Sequence, residues 1–141
     1  MLKGIDKVIS PKLLEVLASM GHGDTLVIGD CNYAGESNSN ICIRADGIDA
    51  TVMLDAILKL FPIDDDDDGE QVLLMDHGDK NRPDPIIWRD FKKIVIRHQP
   101  KTQFKTVQRK DFYTYARNSF ATVLTGESKP YACIIIRKGY I

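Results

Sequence analysis

The chain has 141 residues, 43% of them hydrophobic and 28% charged, with a formal net charge of -1. That length suits one domain with a sizeable core, and the near-zero charge gives no global pull toward nucleic acid or an anionic membrane. No apolar run approaches the roughly 20 residues of a membrane helix. MLKGIDKVIS lacks the apolar stretch of a secretory leader, and the three cysteines, Cys31, Cys42 and Cys133, include no CxxC pair for a disulfide framework or a structural zinc. The chain reads as cytoplasmic.

In chain order, Ser10 is a fitting N-cap and Pro11 fits the first helical position. Leu13, Leu14, Leu17 and Ala18 follow at helical spacing, with Gly21 as the stop. Residues 25–28, TLVI, read as a short buried strand ending at Gly29-Asp30. Residues 33–40 are a polar loop rich in Gly, Ser and Asn. A brief strand over 41–44 leads to a turn at Ala45-Asp46-Gly47.

A second helix is expected over 50–61, with Pro62 as its terminator. The acidic run 64–68 with Gly69 reads as a solvated loop. A buried strand over 71–75, a loop over 76–85 and a helix over 86–98 follow, then a strand over 104–108 and a helix over 111–119. Residues 121–125 and 132–137 are expected to pair as strands around a turn at 126–130. Helices alternating with short apolar strands predict an α/β single domain, three-layer α/β/α, with a mixed, mostly parallel sheet. Ligands of such sheets gather outside the carboxyl ends of strands. Asp30 follows one strand and Arg109 another, which marks a candidate site.

Gly21-His22-Gly23-Asp24 presents an imidazole between two glycines. An ordinary histidine titrates near neutral pH and can move protons; the plainer reading is a turn histidine in a glycine-rich connection. Asp64, Asp66, Asp68 and Gly69 match the start of a calcium loop, but Met75 stands where the bidentate Glu belongs. His77 and His98 have no ligand spacing with His22 or a cysteine, so no metal site is expected. No GxSxG, GxGxxG or phosphate-binding loop is present. Phe112, Tyr113 and Tyr115 lie near Arg109, where an aromatic stripe is more often core than site. Trp88 suits core or a subunit contact. Tyr131 follows a tight turn and opens the last strand, so its phenol can project past the sheet end.

Three stretches together resemble one family. MLKGI with ISPKLLEVLASMGHGD, IRADG at 43–47, and FYTYARNSFATVLTGESKPYACIIIRKG are similar to the fucose mutarotase branch of the RbsD/FucU family, the last through its FYxxAxxxFAxVxTGExxxYxNxxLxKG pattern. SKPYA is also similar to the related D-ribose pyranases.

The resemblance implies an RbsD-like mixed α/β/α domain assembled into ring-shaped homo-oligomers, often decamers. The sugar site would lie near subunit contacts, with no metal or organic cofactor. It implies an acid/base role for His22, sugar binding by Asp30 and Arg109, and hydroxyl binding or proton relay by Tyr131. Tyr33 or Tyr113 would supply an apolar wall for a methyl-bearing sugar. Two positions depart from the pattern: Asn32 stands where histidine is frequent, and Cys133 where asparagine is usual. An amide binds a hydroxyl but does not shuttle protons, and a thiol is the weaker hydrogen-bonding group. The expected activity is anomer interconversion of L-fucose or a related monosaccharide. Ribose ring-form interconversion and sugar binding without turnover are the alternatives.

Overall fold

The first helix forms where its caps require. In the computed structural model, which describes residues 1–66 and 70–141, Ser10 Oγ accepts from the Leu13 N–H at 3.1 Å and Pro11 opens helix α1, Pro11–Ser19. The helix ends a little before Gly21: Met20 is already extended. Lys138 Nζ caps the exit by donating to the carbonyls of Leu17 and Met20. Strand β1 (Thr25–Gly29) follows, then β2 (Cys42–Ala45), α2 (Ala50–Leu58), β3 (Val72–Asp76), α3 (Ile87–His98), β4 (Phe104–Gln108), α4 (Arg109–Arg117), β5 (Ala121–Thr125) and β6 (Ile134–Arg137).

The six strands make one sheet in the order β2-β5-β1-β6-β3-β4. β6 is antiparallel to both of its neighbours; the pairs β1–β5, β2–β5 and β3–β4 are parallel. Side chains alternate across the strands and build a core on each face. Leu26, Ile28, Val72, Leu74, Ile134 and Ile136 meet α1, α2 and α3 on one face. Val27, Leu73, Met75 and Ile135 meet Phe112 and Ala116 of α4 on the other, together with Tyr33. This is the expected α/β/α arrangement with a mixed, mostly parallel sheet.

Several elements sit differently from their sequence reading. β5 and β6 do not form a hairpin; β1 lies between them, paired to β5 on one side and β6 on the other. β1 is buried along nearly its whole length and needs a hydrogen-bonded neighbour at each edge. The connection over 126–133 therefore crosses the carboxyl end of β1, where the Glu127 carbonyl accepts from the Cys31 N–H at 2.9 Å. α4 begins at Arg109, directly on the end of β4, with no intervening loop. Asp64 was expected in a solvated loop but is buried. Asp67, Asp68 and Gly69 of that run lie outside the described residues. Trp88 is core, packed with α2 and α3 side chains.

Candidate active site

The topology brings the carboxyl ends of β1, β3 and β4 and the amino end of β6 to one edge of the sheet. A cleft of about 200 Å³ opens there, lined by Asp30, Asn32, Tyr33, Met75, Arg109, Tyr113, Pro130, Tyr131 and Cys133. Seven residues singled out from the sequence thus converge: Asp30, Asn32, Tyr33, Arg109, Tyr113, Tyr131 and Cys133. Met75 and Pro130 were not foreseen. Met75 ends the apolar run of β3, which was the signal available; Pro130 gave none.

Asp30 is 7% exposed. Its Oδ1 accepts from the Asn32 N–H at 3.0 Å, an Asx turn that folds the chain back at the strand end. Its Oδ2 accepts from the Cys133 thiol at 3.4 Å. Burial, and then the neighbouring Asp30 charge, push the Cys133 thiol well above its ordinary range, so it stays a protonated donor at neutral pH. Where an amide would offer Asp30 an N–H, the thiol offers a weaker S–H, and the carboxylate keeps acceptor capacity for a ligand hydroxyl.

The tyrosines form one aromatic wall. Tyr33 stacks on Tyr113 at 5.0 Å with rings 7° from parallel, and meets Phe112 edge-on at 5.9 Å. Tyr33 also packs closely against Gly29, where a Cβ would come within 2.6 Å of its ring. Its buried hydroxyl has no hydrogen-bond partner among the described residues, and burial drives its pKa upward. The Tyr113 hydroxyl accepts from the Ala34 N–H at 3.3 Å. The Arg109 guanidinium lies 5.7 Å from the Tyr113 ring centre, a cation–π contact that holds the fork at the cleft rim.

Tyr131 takes φ of 56°. It is the one described non-glycine residue in the left-handed region, a conformation costing about 1–2 kcal/mol and retained where surroundings impose it.

His22 is not in this cleft. It precedes β1, whereas Asp30 follows it, and a rise of about 3.3 Å per strand residue puts them roughly 20 Å apart in one chain. At its own end His22 is half exposed, packs edge-on against Tyr140 at 5.0 Å, and places Nε2 3.3 Å from Asp64 Oδ1 and 3.6 Å from Asp66 Oδ2. The sequence reading expected no ligand cluster around His22; the fold makes one, with donor atoms of His22, Asp64 and Asp66 within 4.8 Å of one another. Spacing along the chain could not reveal it, because 42 residues separate His22 from Asp64. The hydrogen bond with buried Asp64 orients the His22 ring through Nε2.

A buried carboxylate, a guanidinium, a phenol and an aromatic wall around a cleft of monosaccharide size give an α/β domain the donors, acceptors and apolar surface that a small polyhydroxylated ligand would need. The chain belongs to the RbsD / FucU transport protein family, whose match spans residues 3–141. It is 41% identical to the fucose mutarotase of Danio rerio over 99% of this chain and 94% of that protein. It is 38% identical to the L-fucose mutarotase of Haemophilus influenzae over 99% and 96%. The crystal structure of the fucose mutarotase from Streptococcus pneumoniae in complex with L-fucose superposes with a TM-score of 0.91, at 38% identity, covering 99% of each chain. No described helix is long and apolar enough to cross a membrane.

Proposed function

We propose that the chain is an isomerase, an L-fucose mutarotase that interconverts α and β anomers by opening and reclosing the sugar ring. The carrying observation is the convergence of Asp30, Arg109 and Tyr131 on one cleft, in a chain 38% identical to the fucose-bound Streptococcus protein. A base takes the anomeric hydroxyl proton while an acid protonates the ring oxygen. The ring opens to the aldehyde, the C1–C2 bond turns, and closure on the other face gives the second anomer. Positioned acid/base groups contribute about 10²–10⁴-fold to such steps.

Asp30 accepts from sugar hydroxyls, assisted by Asn32 and Cys133 at the same end of the cleft. Arg109 donates in a fixed fork. Tyr131 carries a proton between a hydroxyl and its phenol oxygen. Tyr33 and Tyr113 wall the sugar's methyl group. His22, 46% exposed on its side chain, supplies the acid/base group from a second copy: a ring-shaped homo-oligomer, on the scale of a decamer, sets His22 of the partner subunit against this cleft. Asp64 orients that imidazole through Nε2. The reaction involves no redox change and no organic cofactor, and three free thiols suit a cytoplasmic setting. A single chain, with its own His22 about 20 Å away by the strand rise, would bind sugar without turnover; that is the second reading.

Saturation-transfer NMR separates the readings. Exchange cross-peaks between L-fucose anomers, faster than in buffer, are expected. Exchange only between ribose ring forms, or sugar binding with no added exchange, would overturn the proposal. Exchange should also persist in excess chelator; activity lost to chelation and restored by one divalent ion would give the His22, Asp64 and Asp66 group a metal instead.

A further inference from the structure

His77 stood in a stretch read only as loop, and the reaction above gives it no role. The structure puts it beside the cleft. β3 and β6 pair antiparallel with Val72 opposite Ile136, Leu73 opposite Ile135 and Leu74 opposite Ile134. Continued past the strand ends, that register sets Met75 opposite Cys133 and His77 opposite Tyr131, and the Met75 N–H does donate to the Cys133 carbonyl at 3.2 Å. Leu73 and Met75 face the α4 side of the sheet; with side chains alternating, residue 77 follows them.

The His77 ring meets the Tyr131 ring edge-on, with centres 5.7 Å apart and planes at 77°. Its side chain is 5% exposed. Both ring nitrogens are spent inside the loop. Nδ1 accepts from the Asp79 N–H at 3.0 Å, and Nε2–H donates to the Pro83 carbonyl at 3.1 Å. Asp76 Oδ1 accepts from the Gly78 N–H at 3.1 Å, and Gly78 takes φ of +80°, which lets the chain wrap the imidazole. A ring held at both nitrogens cannot swing, and neither nitrogen is left for a sugar.

We propose that His77 is a positioning residue for the mutarotase reaction: its clamped ring is the fixed wall that keeps the Tyr131 phenol, set on a left-handed backbone, aimed into the cleft. The inference rests on the proposed function in taking Tyr131 as a proton carrier. The ring matters as a surface: the loop's hydrogen bonds set its orientation, and burial against Tyr131 keeps an aromatic ring there even without them. Displacing a reacting group by about 1 Å can cost on the order of 10²-fold in rate, so losing the wall acts on kcat more than on KM.

Three variants test this in the full-length protein. His77→Asn keeps an oxygen to accept the Asp79 N–H but removes the ring. His77→Phe keeps the ring and removes both hydrogen bonds. His77→Ala removes both. The expected result is kcat lower by about 10-fold or more in His77→Asn and His77→Ala, KM changed by less than about 3-fold, and His77→Phe within about 3-fold of wild type. A purely structural role would lower the melting temperature of all three and leave kcat per folded subunit unchanged; that result overturns the proposal. So does a His77→Phe that matches His77→Ala. A second readout does not need turnover: the 19F line of 3-fluorotyrosine at position 131, assigned with Tyr131→Phe, should move and broaden in His77→Asn and His77→Ala and stay sharp in His77→Phe. If wild type shows no exchange at all, the functional reading fails, and the 19F line alone decides whether His77 fixes Tyr131: an unmoved line in His77→Ala overturns it.

Discussion

In the proposed mechanism Asp30 holds the sugar and His22 moves the proton, so substitutions at the two should separate binding from turnover. A hydrogen bond to a charged group is worth about 1.5–3 kcal/mol. Asp30→Ala should therefore weaken L-fucose affinity by roughly 10- to 100-fold, with a smaller effect on turnover of bound sugar. His22→Ala should do the reverse, cutting exchange by about 10²-fold or more; near-normal exchange per folded subunit in that variant would reduce His22 to a turn residue. Gly29 tests the wall itself. A Cβ there meets Tyr33 carbons at 2.6, 2.7 and 2.9 Å, so Gly29→Ala must push the Tyr33–Tyr113 stack outward. Overpacking of this kind costs about 1–3 kcal/mol, or roughly 3–10 °C of melting temperature for this size, and fucose affinity should fall with it. A Gly29→Ala protein with wild-type melting and affinity would show that the wall is not rigid.

Asp30, Arg109 and Tyr131 were legible in the sequence because strand ends are where ligands sit, and each flanks a recognisable strand. Asp64 was not: a carboxylate inside a run of aspartates looks solvated until the fold closes over it. His77 was not, because its meaning lies in a cross-strand register that no local pattern encodes.

Between elements, α2 and α3 are tied at their solvent edge by Asp55. It accepts from His98 Nε2 and from Arg97 at 2.7 Å each. The His98 hydrogen bond, followed by the Arg97 hydrogen bond and charge and then the Lys59 charge, holds the Asp55 carboxyl below its ordinary range despite partial burial. A carboxyl with a lowered folded pKa adds stability that is fully present above its unfolded value, about 3.9, and is lost as pH falls through the folded one. Asp55→Asn should lower the melting temperature by a few degrees at neutral pH, within the roughly 1 kcal/mol of a partly exposed ion pair. The difference should close in acid, once the pH has fallen through the lowered folded value and the carboxyl is protonated in both states. An equal deficit at both pH values would assign the loss to packing.

The apolar periodicity placed the ten described elements within a few residues, because nearly all of them carry their own buried stripe; the edge strand β4, with no fully buried residue, is the exception. It did not give their order in the sheet. The two apolar runs of β5 and β6 look like a hairpin in sequence; only the need to cover both edges of β1 parts them, and that need belongs to the whole sheet.

At the scale of the molecule, the sheet carries one half of the proposed chemistry at each end. The cleft lies at the carboxyl ends of β1, β3 and β4, and His22 with Asp64 lies at the far end of β1. One subunit cannot bring them together without unfolding a buried strand, so the account requires each site to be shared between copies. Light scattering should report a large homo-oligomer at micromolar concentration, with the closed symmetry usual for such assemblies. The sharing is tested most directly by measuring L-fucose anomer exchange on a 1:1 mixture of His22→Ala and Tyr131→Phe chains, dissociated and reassembled together. Each variant alone should be nearly inactive. In random mixed rings about a quarter of the sites pair an intact His22 with an intact cleft, so exchange should return to about a quarter of the wild-type rate. No recovery in demonstrably mixed rings, with each parent inactive, would contradict the account by placing His22 and Tyr131 in the same site of a single chain.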